Sequence, residues 1–354
     1  MIKNSYRVIG VMSGTSLDGI DLVYATFRYD KQWCFNILNA DTIPYNSTWK
    51  LALKDLVQKD IEALKIIDAA YTNYLANIVK QFIEKYKITE VDAVCSHGHT
   101  ALHQPENKLT YQIGNLPELA SIIGCNVVCD FRVQDVELGG QGAPLVPIGD
   151  ALLFSNYTYC LNFGGFANIS TQVDNKRVAF DVCPVNIVLN HYVKTLGLDF
   201  DDKGQLASKG TVNYNLLNKL NALAFYNLQA PKSLGLEWVN THVLPLIDAS
   251  EKSIKNILRT FVEHIAIQVS KVVKNSSASN VLLTGGGAYN TFLLSRVQEF
   301  TNAEIIIPSK DIIEFKEALI FGFLGVLKLQ GQNNCLKSVT GAKKDHSSGK
   351  IYLS

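Results

Sequence analysis

The sequence has almost no net charge and no CxxC pair, and these two absences narrow the class of protein. Its 33 basic and 32 acidic residues leave a net charge of +1. The chain therefore lacks the electrostatic footprint of a protein that binds nucleic acid or anionic membranes. The seven cysteines form no CxxC pair and their number is odd, which favours buried free thiols in a reducing compartment.

Long apolar runs are also missing near the N-terminus. Lys3 and Arg7 accompany only a five-residue run, 8–12, which ends at a Ser-Gly pair. A secretory signal needs about 7–15 apolar residues and a membrane helix about 20. We therefore expect a cytoplasmic protein that acts on a small molecule, with no nucleic-acid or membrane partner.

The residues that are present suffice for two folded cores. Hydrophobic residues make up 47% of the 354 positions and charged residues 18%, which excludes intrinsic disorder. A chain of this length commonly forms two domains. We predict a first domain at 1–135, with the tail 338–354 as its candidate completion, and a second at 136–337. The glycine-rich segment 139–142 is interpreted as a linker between them.

Strand-like and helix-like segments alternate along the whole chain. Strands are predicted at 7–12, 21–27 and 33–40, and a helix at 61–86 has apolar residues at helical spacing. The second half continues the alternation, with a predicted helix at 253–273. Such a mixture indicates an α/β fold.

Two segments about 150 residues apart share one pattern. In 8–16 and again in 160–170, an apolar strand runs into small and polar residues and then into a return strand. Both segments are interpreted as β-hairpins. A duplicated fold whose two hairpin tips face one cleft would explain the repetition.

Both hairpin tips have a composition that suits phosphate. Segment 13–19 contains two glycines, three hydroxyl side chains and the carboxylate of Asp18. Glycines let backbone N–H groups approach an anion, hydroxyls add donors, and Asp18 can hold Mg²⁺ directly or through water. Gly164 and Gly165 offer the same backbone at the second tip. Either tip alone also fits a plain tight turn, and the lack of GxxxxGK[ST] excludes a Walker loop.

A third glycine cluster follows an apolar strand and precedes a helix. Gly285, Gly286 and Gly287 come directly after 281–284. A strand, a glycine turn and a helix in this order bring a nucleotide against the backbone. No GxGxxG spacing occurs, which disfavours a dinucleotide. Three glycine turns from distant parts of the chain together suit ATP held between two lobes.

Three charged residues are candidates for the chemistry. Asp181 ends a strand before Pro184, where it can act as a general base or cap the following helix. Arg132 follows a strand and can clamp a substrate carboxylate or form an exposed salt bridge. Glu317, near a helix start, can be a ligand or a first-turn acid favoured by the helix dipole.

The histidines support a rival hypothesis. His97 and His99 lie two residues apart at a predicted strand end, so both can face one side of the strand and share a metal ion, as in a metal hydrolase. The remaining histidines are scattered, and no second cluster of His, Cys or Asp in the sequence supports such a site.

Nine short strings, spread over nearly the whole chain, carry a resemblance to a known family. They are MSGTSLDGID at 12–21, SHG at 96–98, DFR at 130–132, GGQGAPLVP at 139–147, LNFGG at 161–165, PKS at 231–233, GGGA at 285–288, EA at 317–318 and SVTGA at 338–342. With them the sequence resembles the anhydro-N-acetylmuramic acid kinase family of the sugar kinase, Hsp70 and actin superfamily.

The resemblance implies a two-lobed, actin-like α/β fold of duplicated RNase H-like domains, with ATP and Mg²⁺ in the inter-domain cleft. It implies a kinase of cell-wall recycling that opens the 1,6-anhydro bridge with water and phosphorylates O6, giving N-acetylmuramic acid 6-phosphate. A homodimer is a family-level expectation.

The resemblance also implies roles for particular residues. Asp181 would activate the water, and Asp18 would hold Mg²⁺. Arg132, Glu317 and His97 would bind the sugar. The nucleotide would be bound by Gly14, Thr15, Ser16, Leu17, Asp18, Gly19, Ile20, Asp21, Gly164, Gly165, Gly285, Gly286 and Gly287.

One string departs from the family. Where the family usually has DTGPGN, residues 181–186 are DVCPVN. The change removes a hydroxyl and two glycines beside the expected phosphate site. A non-catalytic or differently specific relative of the same fold is therefore a second hypothesis, separated from the first by product formation that depends on ATP.

Overall fold

A computed structural model describes residues 3–14, 17–274 and 276–354. The chain divides into two compact units. Unit 1 comprises the residues up to Leu153 together with Phe315–Ser354, and unit 2 comprises Phe154–Glu314. The nucleotide-binding candidates Thr15 and Ser16 lie outside the described residues.

The described residues contain twelve strands and thirteen α-helices. The strands are β1 (Ser5–Ser13), β2 (Gly19–Asp30), β3 (Gln32–Pro44), β4 (Ala93–Gln104), β5 (Leu109–Ile113), β6 (Val127–Cys129), β7 (Tyr159–Phe163), β8 (Phe166–Val173), β9 (Lys176–Pro184), β10 (Asn280–Thr284), β11 (Glu304–Ile306) and β12 (Lys350–Tyr352). The helices are α1 (Ser47–Lys54), α2 (Ile61–Lys85), α3 (Glu118–Ile123), α4 (Val133–Glu137), α5 (Val146–Leu153), α6 (Asn186–Lys194), α7 (Tyr214–Asn221), α8 (Leu236–Trp238), α9 (Leu244–Ser250), α10 (Ile254–Val272), α11 (Thr291–Phe300), α12 (Lys310–Leu329) and α13 (Lys337–Thr340).

The two units share one strand order. In unit 1, β1, β2 and β3 form an antiparallel meander, β4 pairs parallel with β1, and β6 pairs parallel with β4. In unit 2, β7, β8 and β9 form the same meander, β10 pairs parallel with β7, and β11 with β10. β5 and β12 are added to β4 and β6. This repeated order is that of duplicated RNase H-like domains, and it confirms the predicted α/β fold.

Helix α2 illustrates how the sequence pattern produces local structure. Its buried side chains include Leu64, Leu75 and Phe82, which recur at helical spacing and pack into the unit 1 core. The Asp60 side chain caps the N-terminus by accepting a backbone N–H of the first turn at 2.8 Å. The predicted helix at 61–86 is thus confirmed.

Glycines bring α12 close to the unit 1 sheet. A Cβ atom on Gly10 of β1 would lie 2.0 Å from the carbonyl oxygen of Ala318, and one on Gly325 would lie 2.1 Å from the Cys95 Sγ of β4. The helix therefore packs against both strands at a distance that only glycine allows. This contact explains why 315–337 groups with unit 1 rather than with the predicted second domain.

We predict that Gly10→Ala destabilises the protein, by about 1–3 kcal/mol, because the added methyl group meets fixed helix backbone. The matched control is Gly322→Ala on the facing helix. There a Cβ atom would lie 3.4 Å from the Gly10 Cα, an ordinary contact, and alanine favours a helix by about 1 kcal/mol over glycine. Thermal unfolding measures both. Equal losses in the two variants would contradict the close packing at Gly10.

Segment 139–142 is not the predicted linker. The backbone N–H of Gly142 donates to the buried Asp135 carboxylate at 2.7 Å, and that of Gln141 donates to the Thr340 carbonyl at 2.8 Å. These bonds hold the segment within unit 1. Unit 1 accordingly continues to the end of α5, beyond the predicted domain boundary.

The longest helix of unit 2 packs one face into the hydrophobic core of that unit. Helix α10 buries Ile257, Phe261, Ile265 and Val269 on one face, where they join the main hydrophobic cluster of the unit. None of the helices within the described ranges is long and apolar enough to cross a membrane.

Candidate active site

Asp181 lies on β9 at the point where the strand changes register. It pairs with Asn168, whereas Ala167 pairs with Cys183, so the intervening Val182 forms a β-bulge. Bulges re-aim neighbouring side chains and are frequent beside active sites. The bulge therefore sets the direction of the Asp181 side chain.

A distant loop holds the Asp181 carboxylate. Oδ2 accepts the Leu234 backbone N–H at 2.7 Å, and the Asp181 N–H donates to the Lys232 carbonyl at 3.0 Å. Within the described part of the chain, Oδ1 accepts no hydrogen bond. Burial raises the pKa of Asp181, and the Leu234 N–H opposes this rise. A held, half-buried carboxylate with one unused oxygen suits a general base.

The supporting loop is itself anchored. The Lys232 ammonium lies 4.6 Å from the centroid of the Phe225 ring and donates to the Phe225 carbonyl at 3.2 Å. The sequence indicates no role for this segment, because about fifty residues separate it from Asp181. Its one signal is the Pro-Lys-Ser string at 231–233 in the family resemblance.

The Gly164–Gly165 tip between β7 and β8 is fixed to the start of α6. The Gly165 carbonyl accepts the N–H of Val185 at 2.8 Å and of Ile187 at 3.2 Å, and the Gly164 carbonyl accepts the Asn186 N–H at 3.3 Å. The nearest atom to a Cβ built on Gly165 is 3.8 Å away. The tip is thus a rigid turn with open space beside its backbone, which fits the approach of an anion.

The Gly285–Gly287 loop packs directly on the end of β7. A Cβ atom on Gly285, whose φ is +82°, would lie 2.6 Å from the Asn162 Oδ1, and one on Gly287 would lie 2.6 Å from the Phe163 Cβ. Gly286, by contrast, has no atom closer than 3.9 Å to its built Cβ. Unit 2 therefore brings two of the three predicted glycine turns together.

The residues after Asp181 that depart from the resembled family are core residues. Val182, Cys183 and Val185 are each at most 2% exposed and belong to the hydrophobic cluster of unit 2. Burial raises the pKa of the Cys183 thiol, which therefore stays protonated. The departures fill the interior beneath Asp181 and leave its carboxylate and its loop contacts in place.

The β1–β2 turn carries the unit 1 candidates. Leu17 has φ +62° and donates to the Gly14 carbonyl at 3.4 Å, so the described ends of the turn close on each other. A Cβ atom on Gly19 would lie 2.6 Å from the Ile43 carbonyl oxygen. Ile20 is buried in the core, so its contribution to a ligand is limited to its backbone.

Carboxylates on this turn fit a hard cation. Asp18 is exposed, and Asp21 accepts the Thr42 hydroxyl at 2.6 Å on the neighbouring strand. Mg²⁺ prefers oxygen ligands and is usually held by one or two carboxylates together with water and phosphate. The exposed Asp18 carboxylate therefore suits Mg²⁺ that arrives with a nucleotide.

Arg132 and His97 form a hydrogen-bonded pair in unit 1. The Arg132 Nε–H donates to the His97 Nε2 at 2.9 Å, and the His97 Nδ1 lies 2.9 Å from the Gly98 carbonyl. His97 is thereby assigned as the neutral Nδ1–H tautomer. Burial lowers its pKa well below the usual value, and the Arg132 charge adds to this. Arg132 follows β6 half-buried, not in the exposed salt bridge considered from sequence.

Glu317 on α12 shares an electrostatic environment with this pair. Desolvation raises the pKa of Glu317, the nearby Arg132 charge lowers it and Asp21 raises it. Desolvation likewise lowers the pKa of Arg132 to about 10, against the attraction of Glu317, so the guanidinium stays charged at neutral pH. Unit 1 thus brings together candidates from three distant parts of the sequence.

The expectation that His97 and His99 share one side of the strand is wrong. Gly98 between them has φ +72°, and β4 is irregular beside β1. His97 packs against Phe321 of α12, with ring centroids 4.7 Å apart. His99 instead places its Nδ1 2.7 Å from the Ser13 hydroxyl. The two imidazoles have separate partners, which leaves no shared metal site.

The described part of the chain also shows a polar network that the sequence did not indicate. The Ser13 hydroxyl lies 2.5 Å from the Tyr45 hydroxyl and accepts the Tyr71 hydroxyl at 3.0 Å. Burial raises the pKa of Tyr45 to about 12, so it remains a neutral donor. The network fixes the end of β1 where the candidate phosphate turn begins.

The chain is similar over nearly its whole length to proteins of one family. The chain matches the family model Anhydro-N-acetylmuramic acid kinase over residues 6–354. A protein of that name from Pseudomonas fluorescens (strain Pf0-1) is 33% identical, with 97% of this chain and 98% of the relative covered. One from Haemophilus influenzae is 31% identical, with 97% of each covered. A ligand-bound xylulose kinase from Lactobacillus acidophilus matches with a TM-score of 0.47, 14% identity and coverage of 98% and 93%.

The full-length sequence matches identify an enzyme of the kinase class, which uses ATP. More narrowly, the chain belongs to the anhydro-N-acetylmuramic acid kinase family.

Proposed function

We propose that this protein converts 1,6-anhydro-N-acetylmuramic acid and ATP into N-acetylmuramic acid 6-phosphate and ADP. The observation that carries the proposal is the Asp181 carboxylate, which is half-buried, held through one oxygen and unbonded to the described residues at the other. Membership in the family supplies the substrate class.

The reaction couples ring opening to phosphoryl transfer. A water molecule attacks the anomeric carbon and passes a proton to Asp181 Oδ1, while the bond from that carbon to O6 breaks. O6 then bonds to the γ-phosphorus of ATP as the bond to the bridging oxygen of ADP breaks. The Leu234 N–H keeps the carboxylate oriented. A positioned base contributes about 10²–10⁴-fold to such a step.

Backbone groups supply most of the proposed nucleotide site. In unit 2, the open turn at Gly164 and Gly165 binds phosphate, and the loop around Gly286 contacts the adenosine part. In unit 1, residues 14–21 bind phosphate and Asp18 holds Mg²⁺. The metal ion neutralises phosphate charge when it is bound.

The sugar is bound by the charged group of unit 1. Muramic acid carries a lactyl carboxylate, and a guanidinium matches a carboxylate through two parallel hydrogen bonds. Because the Arg132 Nε is used by His97, its terminal nitrogens are the donors for the substrate. Glu317 accepts from polar groups of the same sugar. His97, both of whose ring nitrogens are engaged, contributes to the same site by positioning Arg132.

The proposed product belongs to amino-sugar metabolism. The enzyme would act in the cytoplasm, where ATP is available, on anhydrosugars released during peptidoglycan recycling. A homodimer remains the family-based proposal for its assembly.

The direct test is product analysis in ¹⁸O-water. Purified protein, Mg-ATP and 1,6-anhydro-N-acetylmuramic acid should give a phosphorylated product with one ¹⁸O at the anomeric carbon, detected by mass spectrometry. Phosphorylation of other sugars with this one unchanged would refute the substrate. No phosphorylation together with no ATP binding would favour the non-catalytic relative suggested by the altered string at 181–186.

We predict an acid limb in the pH profile of kcat/KM, with its midpoint above the usual carboxyl value of about 4. The base acts when it is ionised, and burial raises the pKa of Asp181. Activity is therefore complete above that raised pKa and is lost as the pH falls through it. Initial rates between pH 4 and 8 measure the midpoint. A profile that stays flat down to pH 4 would contradict the assignment of Asp181 as the base.

A further inference from the structure

Unit 1 contains a second chemical cluster that the kinase reaction does not use. Asp135 of α4, Cys335 after α12 and His346 in the tail are 0%, 2% and 4% exposed. One ligand atom from each lies within 4.8 Å of the other two. The backbones of Cys335 and His346 are joined by a β-bridge. Residues about 200 positions apart thus meet in the interior of one unit.

The spacing of these atoms approaches that of a tetrahedral metal site. The Cys335 Sγ lies 3.0 Å and the His346 Nε2 lies 3.6 Å from the Asp135 Oδ1. Zinc binds sulfur at about 2.3 Å and nitrogen or oxygen at about 2.0–2.2 Å, so its tetrahedral ligands lie about 3.3–3.7 Å apart. The third distance, from the Cys335 Sγ to the His346 Nε2, is within 4.8 Å, so side-chain shifts that draw these two atoms together would complete that geometry.

The unpartnered nitrogen of His346 points to a missing ligand. Its Nε2 is buried and has no hydrogen-bond partner, and a buried polar atom without a partner costs about 1–3 kcal/mol. The Nδ1 is 3.1 Å from the Lys344 carbonyl. A hydrogen bond from Nδ1–H to that carbonyl leaves a lone pair on Nε2, which is the usual state of a histidine that binds a metal.

The outer contacts of Asp135 complete this arrangement. Its Oδ2 accepts the Gly142 N–H at 2.7 Å, and its Oδ1 accepts the Thr340 hydroxyl at 2.7 Å. Carboxylate ligands of metals are commonly oriented by such hydrogen bonds. A Cβ atom on Gly140 would lie 2.2 Å from Oδ2, so the surrounding loop fits closely around this carboxylate.

We propose that unit 1 binds one zinc ion through Asp135 Oδ1, Cys335 Sγ and His346 Nε2. A thiolate and an imidazole select zinc over magnesium or calcium. Binding replaces the Cys335 thiol proton, which leaves to solvent, and the fourth position takes a water molecule. The ion ties the C-terminal tail to the 139–142 segment and stabilises unit 1, independently of the kinase reaction.

Zinc content and cobalt spectroscopy test the site on the untagged full-length chain. After metal removal, zinc added back and followed by dialysis should remain at one ion per chain by elemental analysis. Co²⁺ in its place should give a thiolate-to-cobalt charge-transfer band. Cys335→Ser should abolish that band, and His346→Gln should weaken zinc binding at least about 10-fold. The matched controls Cys34→Ser and His191→Gln change exposed residues and should leave both readouts unchanged.

Two results would contradict the proposed zinc site. One is less than about 0.1 zinc per chain in the wild type, which would mean that His346 pairs with Asp135 without metal. The other is a cobalt spectrum without a thiolate band, a measurement on the wild type that does not depend on the folding of any variant. Neither result would alter the outcome of the ¹⁸O assay, so the two proposals fail separately.

Discussion

Replacing Asp181 with asparagine is expected to lower kcat for sugar phosphorylation by about 10³-fold, within the range assigned to a positioned general base. The amide is nearly isosteric with the carboxylate. Its carbonyl can still accept the Leu234 N–H that now reaches Oδ2, so the side chain keeps its position. What it loses is the ability to accept a proton from water. Steady-state kinetics with saturating Mg-ATP measure the loss.

The matched control is Asp174→Asn in the same β8–β9 hairpin. Asp174 is exposed and has φ +48°, a conformation that asparagine also adopts readily, so kcat should stay within about twofold of the wild type. Nucleotide binding by the Asp181 variant, measured by calorimetry, should be retained because binding does not require the base. Turnover in Asp181→Asn within tenfold of the wild type would exclude Asp181 as the base.

The sequence alone predicts the features that follow from a local pattern of residues. The α2 helix follows from its apolar spacing, and the two hairpins follow from strand-like runs separated by small residues. The glycine turns at Gly164 and Gly285 are recognisable because each directly follows an apolar strand. Such signals lie within about ten residues, so they survive without knowledge of the tertiary structure.

Other features depended on single torsions or distant contacts. A positive φ at Gly98 separates His97 from His99, and the sequence contains no sign of which φ a glycine will adopt. The 139–142 segment looks like a linker until Thr340 and the buried Asp135 provide its hydrogen-bond partners. Composition alone could not reveal these contacts, because their partners lie elsewhere in the chain.

The second large effect is expected at Arg132. If its terminal nitrogens bind the lactyl carboxylate, Arg132→Ala should lower kcat/KM for 1,6-anhydro-N-acetylmuramic acid. Removing one partner of a buried, hydrogen-bonded charge pair costs about 2–5 kcal/mol, so the loss should be on the order of 10²-fold. Most of it should come from a higher KM for the sugar. The KM for ATP should be unchanged. Arg132→Lys keeps the charge but loses the fork that matches a carboxylate, so it should recover little.

A second substrate tests whether Arg132 acts through the lactyl carboxylate of the sugar. 1,6-Anhydro-N-acetylglucosamine lacks the lactyl group, so the wild type should use it poorly and Arg132→Ala should use it no worse than the wild type does. A similar loss of kcat/KM with both sugars would mean that Arg132 supports the fold of unit 1 and does not bind the carboxylate.

His97 provides the last comparison, because its Nε2 fixes the Arg132 Nε at 2.9 Å. His97→Ala frees the guanidinium to rotate and should raise KM for the acidic sugar about tenfold, with kcat little changed. His97→Gln offers a side-chain oxygen as acceptor and should recover most of the affinity. The exposed His191 of unit 2 is the control, and His191→Gln should leave both constants unchanged. Failure of glutamine to rescue, with both variants equally stable, would show that the ring contributes by packing on Phe321 and not by orienting Arg132.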